Sequence, residues 1–248
     1  MSGHSKWAQI KRQKGVTDKK RGQAFTKLAS AITIAVRQGG GVADPSQNFK
    51  LRLLVEKARE INMPKENIER AIARGKGGAK GKELQEVVYE GFGPGNTAII
   101  VEAATDNKMR TSAEVKNIFD KSGGSFGSSG SVAYQFQTKG LITAKKEGKN
   151  IEDLFLLAAD AGAQDVEDAV GEILIYTKPE DLAKVRDALT ASLHIISVEL
   201  IRQPTITVAI SDKEKADKVL NLLDKLEELD DVQKVYANFD IPEELLEE

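Results

Sequence analysis

The chain has 248 residues, 40% of them hydrophobic and 30% charged, a balance that excludes general disorder and fits two or three domains. Its longest apolar run is far too short to span a bilayer, and Met1 is followed at once by polar and basic residues, so neither a membrane segment nor a secretory leader is expected. Zero Cys fits a reducing, cytoplasmic compartment and excludes thiol catalysis and disulfides, while a net charge of −2 hides a division: residues 1–80 hold 18 Lys and Arg against 6 Asp and Glu, the remainder 18 against 32.

Residues 1–27 carry eight Lys and Arg, one Asp and the only Trp. Up to residue 22 only Trp7, Ala8, Ile10 and Val16 are available for burial, too little to offset ordering, so this arm is expected to stay mobile until bound. Over 23–38 the apolar positions Phe25, Leu28, Ala29, Ile32 and Val36 keep a spacing of three and four, which predicts an amphipathic helix stopped by Gly39-Gly40-Gly41. Asp44 with Pro45 and Gln47 predicts the next helix start, with Phe49, Leu53, Leu54, Ala58 and Ile61 as its buried stripe. Asn62-Met63 breaks it, and Pro64 starts a short third helix through Ile68, Ala71 and Ile72 to Arg74-Gly75. The Gly/Lys-rich stretch 74–83 is expected to be a hinge.

Beyond it, Val87-Val88-Tyr89 and Ala98–Val101 predict strands around a Gly/Pro turn at 91–95. A helix follows, with Thr111 and Glu114 as its capping box and Val115, Ile118 and Phe119 buried, and a strand over 131–137 closes this part. Residues 140–201 run strand, helix from 151 capped by Asn150, strand, strand, helix, strand, which is the βαββαβ order of a ferredoxin-like unit. That unit completes itself, so the strand, helix and strand of 204–240 are expected to return to 84–137. The expected fold is α+β and multidomain: an N-terminal helical domain (1–78), then two α/β sandwich domains, the third (139–203) inserted in a discontinuous second (82–138 and 204–241).

Six segments, GHSKW (3–7), DKKRGQAFTKL (18–28), NMPKENIERAI (62–72), YEGFGPG (89–95), TDNKMRTSAEV (105–115) and GSVAYQF (130–136), resemble the motifs of the YebC/PmpR family. The resemblance implies three domains, one helical and two α/β, and a cytoplasmic, non-enzymatic regulator of gene expression. Bacterial members are described as transcriptional regulators that bind DNA and have been linked to the ribosome; a mitochondrial relative is a translational activator. The nucleic acid is left open between DNA and rRNA, tRNA or the ribosome. No cofactor and no membrane partner are implied, and the oligomeric state is open, a monomer being compatible.

The residues themselves point the same way. Lys6, Lys11, Arg12, Lys14, Lys19, Lys20, Arg21 and Lys27 are spaced irregularly, as phosphate contacts can be and as one helical salt-bridge face is not. Trp7 offers either a base-stacking surface or an anchor for the arm, and large aromatics more often pack. Lys108 and Arg110, beside Asp106-Asn107, read as phosphate contacts or as helix-capping chemistry. The helix pair 45–61 and 64–74 invites a helix-turn-helix with Asn67, Arg70 and Arg74 facing a groove, but Glu66 and Glu69 would then meet DNA phosphates. In the insert only Tyr176 resembles the sheet aromatics of an RNA-recognition motif, and Val132, Tyr134 and Phe136 on one strand face are read as core. The glycines of 123–131 follow a helix and fail the dinucleotide pattern, and 74–83 fails the P-loop spacing. With His4 and His194 as the only imidazoles, neither a His-based metal site nor a Ser–His pair is supported, so no catalytic residue, metal or cofactor is expected.

Overall fold

The computed structural model describes residues 18–77, 83–242 and 245. Lys6, Trp7, Lys11, Arg12 and Lys14, and with them most of the basic arm, lie outside the described residues, as does the centre of the expected hinge. Phe136–Gln203 forms one compact unit, and the described residues before and after it form the other.

Three helices open the described chain: α1 (Asp18–Gln38), α2 (Phe49–Glu60) and α3 (Lys65–Gly75). Asp18–Gly22 is helix, which corrects the expected extent of the arm. The reason is that each residue added to an existing helix gains a hydrogen bond, and Lys, Arg and Gln are good helix formers. The second helix starts four residues beyond Pro45, a further correction. Asp44 makes a local turn, its carboxylate accepting from the Ser46 N–H at 2.9 Å, and Asn48 caps α2 by accepting from the Leu51 N–H at 3.0 Å. The Asn48 amide also donates to the Ala35 and Val42 carbonyls at 2.9 and 3.1 Å, fixing α2 to the end of α1. This sets the buried stripe to Leu51, Val55 and Ala58, which pack with Leu28, Ile32 and Val36 of α1 and with Met63, Ile68 and Ala71.

The chain continues through β1 (Gln85–Gly93), β2 (Thr97–Thr105), α4 (Lys108–Lys121) and β3 (Ser125–Phe126). The second unit follows as β4 (Phe136–Lys145), α5 (Ile151–Ala161), β5 (Asp165–Ala169), β6 (Glu172–Thr177), α6 (Leu182–Leu189) and β7 (Ile195–Pro204). The last elements are β8 (Val208–Ala209), α7 (Lys213–Glu227), β9 (Val232–Ala237) and β10 (Phe239–Asp240).

One sheet has the order β3-β1-β2-β9, so the chain after the second unit returns to pair with β2, Val101 facing Val235. Tyr89, Ile99, Val101, Val115 and Phe119 share its core with Val219, Leu222, Leu223 and Leu226 of α7. β1 and β2 meet through Pro94–Asn96, where Gly95 (φ 72°) and Asn96 (φ 60°) take the left-handed conformation that a tight reversal requires. The first strand expected within 204–240 is only Val208–Ala209, and it pairs in parallel with Phe239–Asp240 outside this sheet. Asn238 ties that ribbon in: its side-chain oxygen accepts from the Ala98 N–H and its amide donates to Gln135 Oε1, both at 2.8 Å.

The strand expected over 131–137 is also corrected. Ala133–Gln135 is a short 3₁₀ turn, and β4 starts at Phe136 and belongs to the second unit. Alternation at Val132, Tyr134 and Phe136 therefore does not place them on one strand face: Val132 is buried, whereas Tyr134 is 71% exposed. In the second unit the sheet order is β5-β6-β4-β7, the ferredoxin arrangement of second, third, first and fourth strands. Asn150 caps α5, accepting from the Glu152 N–H, and Gly162 (φ 97°) ends it.

Candidate nucleic-acid interface

Residues 21–77 hold eleven Lys and Arg against five Asp and Glu, so the bundle is cationic even without the arm. Arg21, Lys57, Arg59, Lys65, Arg70 and Lys76 are exposed. Lys19 and Lys20 fall in the first turn of α1.

Lys27 sits elsewhere than on a free face. Its ammonium donates to the Glu227 carbonyl at 2.5 Å, and Gln23 donates to the Glu228 carbonyl at 3.2 Å. These carbonyls belong to the C-terminus of α7, where a cation meets the negative end of the helix dipole. At the far end of α1, Arg37 donates to the Leu84 carbonyl and pairs with Glu83, each at 3.0 Å, while Lys50 and Gln38 meet Glu86. Ile34, Leu84 and Ala104 form an apolar contact nearby. The bundle is thus fastened to the four-stranded sheet's domain on both ends of α1.

Lys108 and Arg110 occupy the first turn of α4, which Asn107 caps by accepting from the Arg110 N–H; Thr111, expected to cap, lies inside the helix. Lys108 is exposed, and its carbonyl accepts from the Tyr89 hydroxyl at 3.2 Å. Arg110 donates to Asp231 Oδ2 at 2.6 Å and pairs with Asp106 at 3.3 Å. The same Asp231 oxygen accepts from the hydroxyls of Thr111 (2.6 Å) and Thr105 (3.0 Å). Burial pushes the Asp231 carboxyl up, but hydrogen bonds from Thr111, Arg110 and Thr105 and the charge of Arg110 outweigh it and hold the group below the usual carboxylate range. Arg110 is in turn pushed further up by its hydrogen bond to, and the charge of, Asp231. This cluster joins the ends of β2 and β9 to the start of α4.

Glu90, buried in β1, was passed over in the sequence. Its carboxylate accepts from the backbone N–H groups of Gly130 (2.7 Å), Val132 (2.7 Å) and Ala133 (2.8 Å), shaping a loop that exposes Ser128, Ser129, Gly130 and Tyr134. The available signal was an acid inside the otherwise apolar and glycine-rich stretch VVYEGFGPG. Tyr176, by contrast, is buried, its hydroxyl donating to Glu167 and its ring 5.8 Å from the Lys139 ammonium, so it presents no stacking surface.

Asn67, Arg70 and Arg74 do share a face. With Phe25, Thr26, Ala29, Thr33, Met63 and Ala71 they line an open groove of about 280 Å³ along the seam of α1 and α3. Glu66 and Glu69, exposed on α3, do not line it, and Glu69 pairs with Lys65. The His194 ring pairs with Glu147 at 3.4 Å, and among the described residues no group of three or more His, Cys, Asp or Glu is arranged to hold a metal ion. Among them, too, no helix is long and apolar enough to cross a membrane.

Residues 5–78 match the family model for the TACO1/YebC N-terminal domain, and residues 84–239 match that for the TACO1/YebC second and third domain. A protein of Sulfurihydrogenibium sp. named a probable transcriptional regulatory protein is 51% identical over 249 residues, covering 100% of this chain and 98% of its own length. A Persephonella marina protein of the same name is 50% identical, covering 100% and 99%. A crystal structure of a conserved hypothetical protein from Aquifex aeolicus superposes with a TM-score of 0.86 at 45% identity, over 93% of this chain and 95% of that one.

Proposed function

The chain belongs to the TACO1/YebC family, and from that premise we propose that it is a cytoplasmic, non-enzymatic regulator of gene expression that docks its cationic N-terminal region on nucleic-acid phosphates, as an RNA- or ribosome-associated translation factor. The observation that carries this reading is the charge division: 18 Lys and Arg against 6 Asp and Glu in residues 1–80, and 18 against 32 beyond. A surface so divided attracts a polyanion at one face and holds it off the others, which suits one-sided docking better than wrapping. Lys6, Lys11, Arg12, Lys14, Lys19, Lys20 and Arg21 supply charge, with Trp7 as anchor or stacking ring; Lys108 adds an exposed cation, and Arg110 serves chiefly to hold Asp231.

The second reading, a DNA-binding transcriptional regulator using the same surface, is favoured by the names of the relatives. Affinities and salt slopes measured on duplex DNA and on structured RNA separate the two, because the ligand the surface fits is bound more tightly and through more neutralised phosphates. Co-sedimentation with ribosomes, lost on RNase treatment, is the expected result for the first reading. Tight binding to duplex DNA with no ribosome association would replace it by the second.

A further inference from the structure

The groove between α1 and α3 exists because small side chains face each other across the seam. Ala29 and Thr33 on one helix and Ala71 on the other leave volume unfilled, while Phe25 and Met63 form its apolar walls and Asn67, Arg70 and Arg74 its polar side. The helices stay in register beside it: Thr33 donates to the Ala71 carbonyl at 3.1 Å, and Gly75 lies so close to Val36 that an added Cβ would meet it at 2.6 Å. Asn67 is already turned, its side-chain oxygen accepting from Arg70 at 3.1 Å, which leaves its amide hydrogens to donate. At about 280 Å³ the space falls just below the range, roughly 300–1,000 Å³, that drug-sized ligands occupy, so it suits one ring-sized group and no more.

An aromatic and a thioether beside an amide and two guanidinium groups match a flat apolar ring that carries hydrogen-bond acceptors and an adjoining negative charge. A second copy of the cationic arm would meet like charge at Arg70 and Arg74. A base within a duplex is stacked and paired and cannot enter without being extruded, whereas an unpaired one enters freely. We propose that this seam binds one unpaired nucleotide of the docked nucleic acid, its base against Phe25 and Met63 and its phosphate on Arg70 and Arg74. The proposal rests on the nucleic-acid reading above and narrows it toward RNA loops and single strands.

The full chain is titrated, at one low ionic strength, with a short labelled oligoadenylate strand and with the same strand paired to its complement. Ala29→Leu fills the groove without changing charge, and Thr26→Trp narrows it from an exposed position should the first variant melt early. The native chain is expected to prefer the single strand and to raise the emission of a 2-aminopurine placed within it. Each folded variant is expected to lose about tenfold in single-strand affinity, together with the emission change, and to keep its duplex affinity. Variants that bind both probes as the native chain does, or that lose both equally, overturn the groove assignment while leaving phosphate docking intact. A native chain that binds neither probe removes both readings.

Discussion

Asp231 and Glu90 each gather several donors on one carboxylate, and each makes a prediction about stability. Replacing Asp231 by Ala strips partners from Thr105, Thr111 and Arg110 and is expected to cost about 1–3 kcal/mol in chemical denaturation. Because the folded carboxyl sits below the ordinary value of 3.8, its contribution is fully present above that value and is lost as pH falls through the lower folded one. An Asp231→Asn variant should therefore show a shallower loss of stability than the native chain as pH falls below the ordinary carboxylate value, read by melting at stepped pH. At Glu90, Gln retains one oxygen for Val132 and Ala133 but turns an amide toward the Gly130 N–H, whereas Ala abandons all three donors. The expected order of melting temperatures is native above Glu90→Gln above Glu90→Ala, with limited proteolysis opening first at 127–133 in the variants.

Among the elements, α3 offers a change of sign. Gly to Ala in a helix ordinarily stabilises by about 1 kcal/mol, but a Cβ at Gly75 would stand 2.7 Å from the Thr33 carbonyl oxygen and 2.6 Å from the Val36 Cβ. Gly75→Ala is thus expected to destabilise by about 1–3 kcal/mol, measured by urea unfolding. How legible such elements were in the sequence follows from where their hydrogen bonds go. Asn150 satisfies a local N–H, and α5 begins where its pattern says. Asn48 is different: its amide reaches Ala35 and Val42, partners set by tertiary packing, and no window around residue 48 reveals that it outcompetes Asp44-Pro45. The alternation at 132–136 has the period of a strand, yet Glu90, forty-two residues before Val132, takes the N–H groups that a strand neighbour would need. The groove has the same origin, since Phe25 and Ala29 lie far in sequence from Asn67 and Arg70; the triplet Asn67, Arg70, Arg74 was visible from its helical spacing, and the wall opposite it was not.

Over the whole molecule the charge division predicts how binding responds to salt. If about six cations of the arm and α1 meet phosphates, affinity for duplex DNA should drop on the order of a thousandfold between about 50 and 200 mM salt, with a shallower slope on single strands. Reversing Lys11, Arg12, Lys19, Lys20 and Arg21 to Glu is expected to abolish most of that dependence while leaving the melting curve nearly unchanged; an unaltered slope would remove the arm from the interface. Lys27 belongs to a different experiment, because its ammonium closes the end of α7, and Lys27→Ala should lower the melting temperature more than it lowers affinity. Thr205 bonds the Gln135 carbonyl through its N–H at 2.8 Å and its hydroxyl at 3.0 Å, so the two strands of chain are clasped at the root of the second unit. A clasp of this kind predicts that residues 136–203 can be cut out as a cassette: with a short glycine bridge joining Gln135 to Pro204, the remaining chain is expected to keep a single cooperative melt.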